Sequence, residues 1–225
     1  MNDIPILEIP TLAIARSDQR FPVRRIFCVG QNYADHAREM GSDPQRQRPF
    51  FFTKPADAVV DTGQCLPFPP MTHDLHHEVE LIVALGKGGA EVNAAEAPSM
   101  IFGHAVGIDL ARRDLQAESK KTGRPWDMAK GFDHSAPIGP VMRGVPPREG
   151  AITLSIDGQI RQSGDLADMI WSVPDIIAFL STYVALAPGD LIFTGTPAGV
   201  GPIQRGERVH GAVAGIDPVD VRFAQ

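Results

Sequence analysis

The sequence predicts an α+β fold whose core is mostly sheet. Apolar segments that read as strands outnumber those that read as helices. No regular strand–helix–strand alternation runs along the chain. Glycines and prolines are spread throughout and cut it into many short elements. The 225 residues are enough for one domain with a substantial core.

Taken in order, residues 4–15 (IPILEIPTLAIA) form one or two strands of an N-terminal arm, and IFCVG (26–30) is a short apolar strand. NYADHAREM (32–40) reads as a short helix, and GSDPQRQRP (41–49) is polar, breaker-rich and a candidate lid. FFFTKP follows as strand, and HEVELIVAL (77–85) carries the strongest strand pattern of the chain. NAAEAPSMI (93–101) is helix-like, HAVGIDL (104–110) is a strand, and ARRDLQAESKK (111–121) is a helix. ITLSIDGQIRQ (152–162) is a hairpin, because Asp157 and Gly158 supply the positive φ angles of a two-residue turn. Ser172 caps and Pro174 opens a helix through about Val184. APGDLIFTGTPAGVG (187–201) is turn, strand and Gly-rich loop.

Bulk properties exclude several classes. The net charge of −6 argues against a nucleic-acid partner, and an anionic ligand would need local cations to overcome that field. Cys28 and Cys65 make no CxxC and no disulfide framework, and Cys28 inside RRIFCVG reads as a buried inert thiol. MNDIPILEIP lacks the pattern of a signal peptide, and no apolar run reaches membrane-span length, so a cytoplasmic protein is expected. G-x-S-x-G, a Walker A lysine and HExxH are missing.

The chemistry centres on carboxylates. Alternation places Glu78 and Glu80 on one strand face with Ile82 and Ala84, and turns His77, Val79, Leu81 and Val83 to the other. Two glutamates ~6.6 Å apart along a strand repel by ~2.5 kcal/mol at an effective dielectric near 20. A shared proton, a cation or water can relieve this, and an isolated Glu-x-Glu is most often a solvated face. Asp109 shifts the balance, since it ends another apolar strand where a charge is unwelcome. Three carboxylates from two strands suit a hard divalent ion such as Mg²⁺ or Mn²⁺. His73, His76 and His77 could hold a softer metal, or simply form a loop leading into a strand. His36 and Glu39, at i and i+3, are spaced for an imidazole–carboxylate base or for an exposed surface pair. Arg112, Arg113, Gln116, Lys120 and Lys121 follow Asp109; such runs are usually solvated, though Arg113 and Gln116 share a helix face. Lys130 stands alone among small and apolar residues, as a buried cation would. TGTPAGVG (194–201) offers backbone N–H groups and hydroxyls to a carboxylate.

These segments together resemble the fumarylacetoacetate hydrolase family. The matching stretches are CVGQNYADHAREM, PFFFTKPADAVV, HHEVELIVALGKGG, GIDLARRDLQ, AKGFDHSAPIGP and RQSGDLADMIWSVPDIIAFLSTYVALAPGDLIFTGTPAGVG, covering most of residues 24–201 in the family's order. The set looks most like the small bacterial members that hydrolyse fumarylpyruvate in gentisate breakdown. The resemblance implies an α+β, mixed β-roll/β-sandwich fold with short peripheral helices, residues 1–23 being an arm packed on a catalytic domain of residues 24–225. It implies a homodimer with one Mg²⁺ or Mn²⁺ per subunit on Glu78, Glu80 and Asp109. It assigns water activation to His36 and Glu39 on a lid. It gives substrate binding or charge stabilisation to Arg113, Gln116 and Lys130, and a substrate contact to Thr196. The long two-domain members use a further upstream carboxylate on the metal, and this sequence shows no substitute.

The expected reaction is hydrolysis of an acylpyruvate, with Lys130 and Gln116 stabilising the oxyanion. Alternatives on the same site are oxaloacetate decarboxylation and isomerisation of 2-hydroxyhepta-2,4-diene-1,7-dioate; a non-catalytic alternative is an interaction module holding structural Ca²⁺. Arg16, Arg46, Arg48 and Lys54 are open candidates for reading a distal substrate carboxylate.

Overall fold

A computed structural model describes residues 7–39 and 48–225. The start of the arm, Arg46 and most of the candidate lid lie outside the described residues.

The core is sheet. The largest sheet has the order Phe50–Lys54, Arg25–Gly30, Asp190–Phe193, Val79–Leu85, Ile101–Ile108, Ala136–Ile138 and Val59–Asp61, with Met142–Arg143 also paired to Ile101–Ile108. A second sheet has the order Gln159–Asp165, Ala151–Ile156, Arg208–Val213, Ile216–Phe223 and Cys65–Leu66. A small third sheet joins Ala111–Arg112, Leu75–His77 and Gly201–Pro202. Both faces of the central strand are apolar, as a strand covered on two sides requires. Val79, Leu81 and Val83 pack with Ile152, Leu154, Val209 and Val219 of the second sheet. Ile82 and Ala84 face the other way, into a cluster with Cys28, Phe193 and the arm residues Leu12 and Phe21. Glu80 shares the parity of this second face.

The arm folds as Thr11–Ala13 antiparallel to Arg20–Pro22 and is tied to the main sheet, with Val141 N–H donating to Ala13 O at 2.8 Å. The helices are short and peripheral. They are α1 (Ala34–Glu39), α2 (Arg113–Thr122), α3 (Asp127–Lys130) and α4 (Val173–Tyr183). Ser172 and Asp175 form a reciprocal capping box at the start of α4, and Pro174 sits in its first turn. Asp157 and Gly158 have φ of 48° and 82°, which closes the expected hairpin between Ala151–Ile156 and Gln159–Asp165.

Two expectations differ. The helix-like segment 93–101 forms only a 3-10 turn, Ala97–Met100, because Pro98 removes a donor and too few residues follow to propagate a helix. The strand expected over 77–85 is split at Glu78 into Leu75–His77 and Val79–Leu85, which pair with different sheets.

A candidate metal centre and its cleft

Antiparallel pairing of Val79 with Ile108 and Glu80 with Gly107 brings the end of one strand beside the start of its neighbour. Asp109 follows directly, and its N–H donates to Glu78 O at 2.8 Å. One oxygen each from Glu78, Glu80 and Asp109 therefore lies within 4.8 Å of the others, and all three residues are buried. Among the described residues this is the one group of three or more His, Cys, Asp or Glu side chains so arranged.

Two buried lysines flank the acids. Lys130, at the end of α3, donates to Glu78 Oε2 at 2.8 Å and Asp109 Oδ2 at 2.9 Å. Lys54 ends the edge strand Phe50–Lys54 and lies 2.7 Å from Asp109 Oδ1, while donating to the backbone oxygens of Leu110 and Lys130. Arg113 Nη2 donates to Glu78 Oε1 at 2.6 Å, and its Nη1 to Gln116 Oε1 at 2.5 Å. That bond leaves the Gln116 amide N–H groups as donors for a ligand.

The acids differ in how well they are satisfied. Burial raises the Glu78 pKa, but Lys130 and Arg113 outweigh it and hold the carboxyl well below the usual range. Burial, then the charges of Asp109 and Glu78, push Glu80 well above its usual value. Its Oε2 accepts one hydrogen bond, from Gly195 N–H at 2.7 Å. Gly195 has φ +98°, and a Cβ there would come within 2.7 Å of the Asn32 side chain, so this donor needs a glycine. Asp109 Oδ1 is buried without an aligned hydrogen-bond partner. Three buried oxygen donors, one met only by the Lys54 ammonium without an aligned hydrogen bond and one carrying an unfavourable charge, fit a hard divalent cation.

Above the acids opens a small, narrow cleft. His36, Arg113, Gln116, Lys130 and Thr196 line it together with Glu78 and Glu80. His36 is buried, and its Nδ1 lies 3.2 Å from Glu39 Oε2. Glu39 also accepts from Gly199 N–H at 3.2 Å, which ties α1 to the Gly-rich loop. Phe50, Phe52 and Trp126 form an aromatic wall with edge-to-face contacts. The structure thus gathers Glu78, Glu80, His36, Arg113, Gln116, Lys130 and Thr196 into one place, with Asp109 and Glu39 just behind the lining.

Other candidates fall elsewhere. His76 meets Asp74 and Arg113, whereas His77 bonds Gln162, so the histidines make no common site. Lys54 is buried against Asp109 and cannot meet a distal carboxylate. Arg48 lines a different groove, beside Tyr183. Three residues escaped sequence reasoning. Gln162 is fully buried and binds His77, Val79 N–H, Thr196 Oγ1 and Pro197 O. Asn32 bonds Thr194 O and both backbone groups of Trp171. Lys120, read as part of a solvated run, lines the cleft.

A buried acid cluster braced by lysines, beneath a cleft that holds an imidazole–carboxylate pair, defines a class of enzyme that handles small anions on a divalent ion. Comparison with known proteins agrees. The chain belongs to the fumarylacetoacetate hydrolase family, whose C-terminal domain model, "Fumarylacetoacetate (FAA) hydrolase C-terminal", matches residues 25–223. It is 50% identical to the fumarylpyruvate hydrolase of Pseudomonas aeruginosa, solved in complex with Mn²⁺ and pyruvate, with a TM-score of 0.95 over 99% of each chain. It is 41% identical to the fumarylpyruvate hydrolase of a Ralstonia species, over 80% of this chain and 94% of that one. It is also 39% identical to the oxaloacetate tautomerase YcgM of Escherichia coli, over 84% and 88%. The relatives therefore share a domain and divide by reaction.

Proposed function

We propose that the protein is a divalent-metal-dependent acylpyruvate hydrolase that converts fumarylpyruvate and water to fumarate and pyruvate, in gentisate breakdown, and works as a cytoplasmic homodimer with one Mg²⁺ or Mn²⁺ per subunit on Glu78, Glu80 and Asp109. The observation that carries this reading is that His36, hydrogen-bonded to Glu39 behind it, lines the same cleft as Glu78, Glu80 and the Lys130 and Gln116 donors. A hydrolase needs both a base for water and donors for an oxyanion.

A divalent ion on Glu78, Glu80 and Asp109 would supply Lewis acidity that stabilises negative charge developing on the 2-oxo acid. The rest falls to the chain. Glu39 orients the His36 imidazole, which takes a proton from water. The hydroxide adds to the C4 carbonyl. Two of the three Lys130 N–H donors are committed to Glu78 and Asp109, so the third, with the Gln116 amide, donates to the C4 oxyanion. The C3–C4 bond breaks, its electron pair leaves with C3, and the proton held by His36 completes the pyruvate methyl group. Arg113 holds Gln116 in register, and Thr196 contacts the substrate carboxylate.

The likeness to oxaloacetate tautomerases favours a second reading, in which the same base moves a proton between carbon and oxygen without hydrolysis. A panel of fumarylpyruvate, acetylpyruvate and oxaloacetate, each with and without added Mg²⁺ or Mn²⁺, separates the two. Fumarate and pyruvate in equal amounts, dependent on metal, are expected. Keto–enol interconversion of oxaloacetate with no cleavage of either acylpyruvate would replace the first reading by the second. His36→Ala should lower kcat on fumarylpyruvate by about 10²–10⁴-fold while calorimetry shows Mn²⁺ binding intact. A variant that hydrolyses normally would place the base elsewhere.

A further inference from the structure

A substrate ending in a second carboxylate needs a cation near the mouth of the cleft. Most nearby cations are already engaged. Lys130 is held by Glu78 and Asp109, Arg113 by Glu78 and Gln116, and Lys54 is buried behind Asp109. Lys120 lines the same cleft, and among the described residues no carboxylate pairs with it. Its ammonium rests 5.2 Å from the centroid of the Trp126 ring, a contact that an anion can displace or share.

The spacing also fits. Arg113, Gln116 and Lys120 stand at i, i+3 and i+7 of α2 and so share one face. Gln116 is buried and Lys120 exposed, so this face runs from the floor of the cleft to its mouth. Lys120 lies about one helical turn, ~5.4 Å, beyond Gln116. In a seven-carbon 2,4-dioxo dioate the terminal carboxyl carbon lies three trans bonds beyond C4, which is ~3.8 Å, the same span as across a trans peptide. With C4 at Gln116, the terminal carboxylate comes within reach of a lysine one turn further out. Phe50 and Trp126 beside it offer a flat apolar surface to a conjugated C5–C6 double bond.

We infer that Lys120 is the specificity-determining residue for the distal carboxylate, so that the cleft selects seven-carbon 2-oxo dicarboxylates over their monocarboxylate counterparts. The reaction on such a substrate rests on the hydrolase reading; the subsite itself is a matter of binding. Partial burial lowers the Lys120 pKa, and the charges of Arg113 and Lys130 add to this against the opposing pull of Glu78, so a bound carboxylate would offset a net unfavourable field.

Two measurements test this on the Mn²⁺-loaded full chain. In calorimetry, 2-oxoheptanedioate and 2-oxoheptanoate probe the subsite without turnover. The wild type is expected to prefer the dicarboxylate by at least tenfold, Lys120→Met to lose that preference, and Lys120→Arg to keep most of it. In steady-state kinetics, the ratio of kcat/KM for fumarylpyruvate over acetylpyruvate should fall at least tenfold in Lys120→Met, mostly through KM. An unchanged preference in Lys120→Met, equal binding of both acids by the wild type, or equal loss in the Met and Arg variants would overturn the assignment. If the wild type hydrolyses neither acylpyruvate but its calorimetric preference depends on Lys120, the hydrolase reading fails and the subsite stands.

Discussion

Glu78 and Glu80 carry the same functional group two positions apart, yet the fold treats them oppositely. Glu78 is neutralised by Lys130 and Arg113, so its charge is part of the folded structure. Glu80 has one backbone donor and two repelling neighbours, so its charge is tolerated only when something else compensates it. Glutamine at each position should separate the two roles. Glu78→Gln breaks a buried ion pair and should cost about 3 kcal/mol of stability in chelator. Glu80→Gln mimics the protonated acid and should leave metal-free stability within about 0.5 kcal/mol of wild type or above it. Both should lose Mn²⁺ binding by calorimetry. Urea unfolding in chelator reads the contrast, and equal losses in the two variants would mean that the acids are not distinguished in this way. His77 is a titrating counterpart. Burial lowers its pKa below 6.5, so the unfolded chain takes up a proton before the folded one. Stability is full above pH 6.5 and falls as pH drops toward the depressed folded value. His76 is shifted the same way, by burial and Arg113. His77→Asn should flatten the slope of unfolding free energy between about pH 6.5 and 5.

At the scale of elements, the hairpin Ala151–Ile156/Gln159–Asp165 matters more than its sequence indicates. Its turn was legible because Asp157-Gly158 must adopt positive φ, and Val79–Leu85 was legible as a strand because packing on both faces leaves a nearly continuous apolar run. The acid cluster was legible through Asp109, a charge at the end of an apolar strand. Gln162 was not legible, because a polar residue at a strand position looks the same whether it meets water or a network. Only the pairing with its neighbours brings it against His77 and Thr196. Lys120 was hidden for the opposite reason: neighbouring charges on α2 masked its place on the Arg113–Gln116 face. The long C-terminal hairpin, Arg208–Val213 with Ile216–Phe223, is not among the expected elements although Val219, Val221 and Phe223 alternate with Asp220 and Arg222 as in a half-buried strand, because this stretch matches the family less distinctively. Gln162→Leu should therefore behave as a network deletion rather than a surface change. It leaves His77, Val79 N–H and Pro197 O without partners and should cost at least about 2 kcal/mol. Thermal unfolding checks this, and a loss below 0.5 kcal/mol would show that water replaces the amide.

At the scale of the whole molecule, the charges of the site and of the chain pull in different directions. The chain carries −6, while the centre holds as many cations as acids, Lys54, Lys130 and Arg113, all of them paired with Asp109 or Glu78 and none with Glu80. A divalent ion would therefore make the floor of the cleft net positive inside an acidic protein, which is what a dianionic substrate requires. The same ion would act on stability, because its ligands come from separate strands and meet only when the main sheet is formed. An ion that binds the folded chain and not the unfolded one stabilises it by about 2.7 kcal/mol at a hundred times Kd. For a chain of this size that corresponds to a rise in Tm of roughly 5–10 °C. Differential scanning calorimetry at fixed protein concentration should show Tm climbing with the logarithm of free Mn²⁺ and returning to its starting value in chelator. Glu80→Gln should abolish the climb without lowering the starting point. If Tm rises equally in that variant, the stabilising ion sits elsewhere on this acidic surface, and the buried acids serve the fold alone.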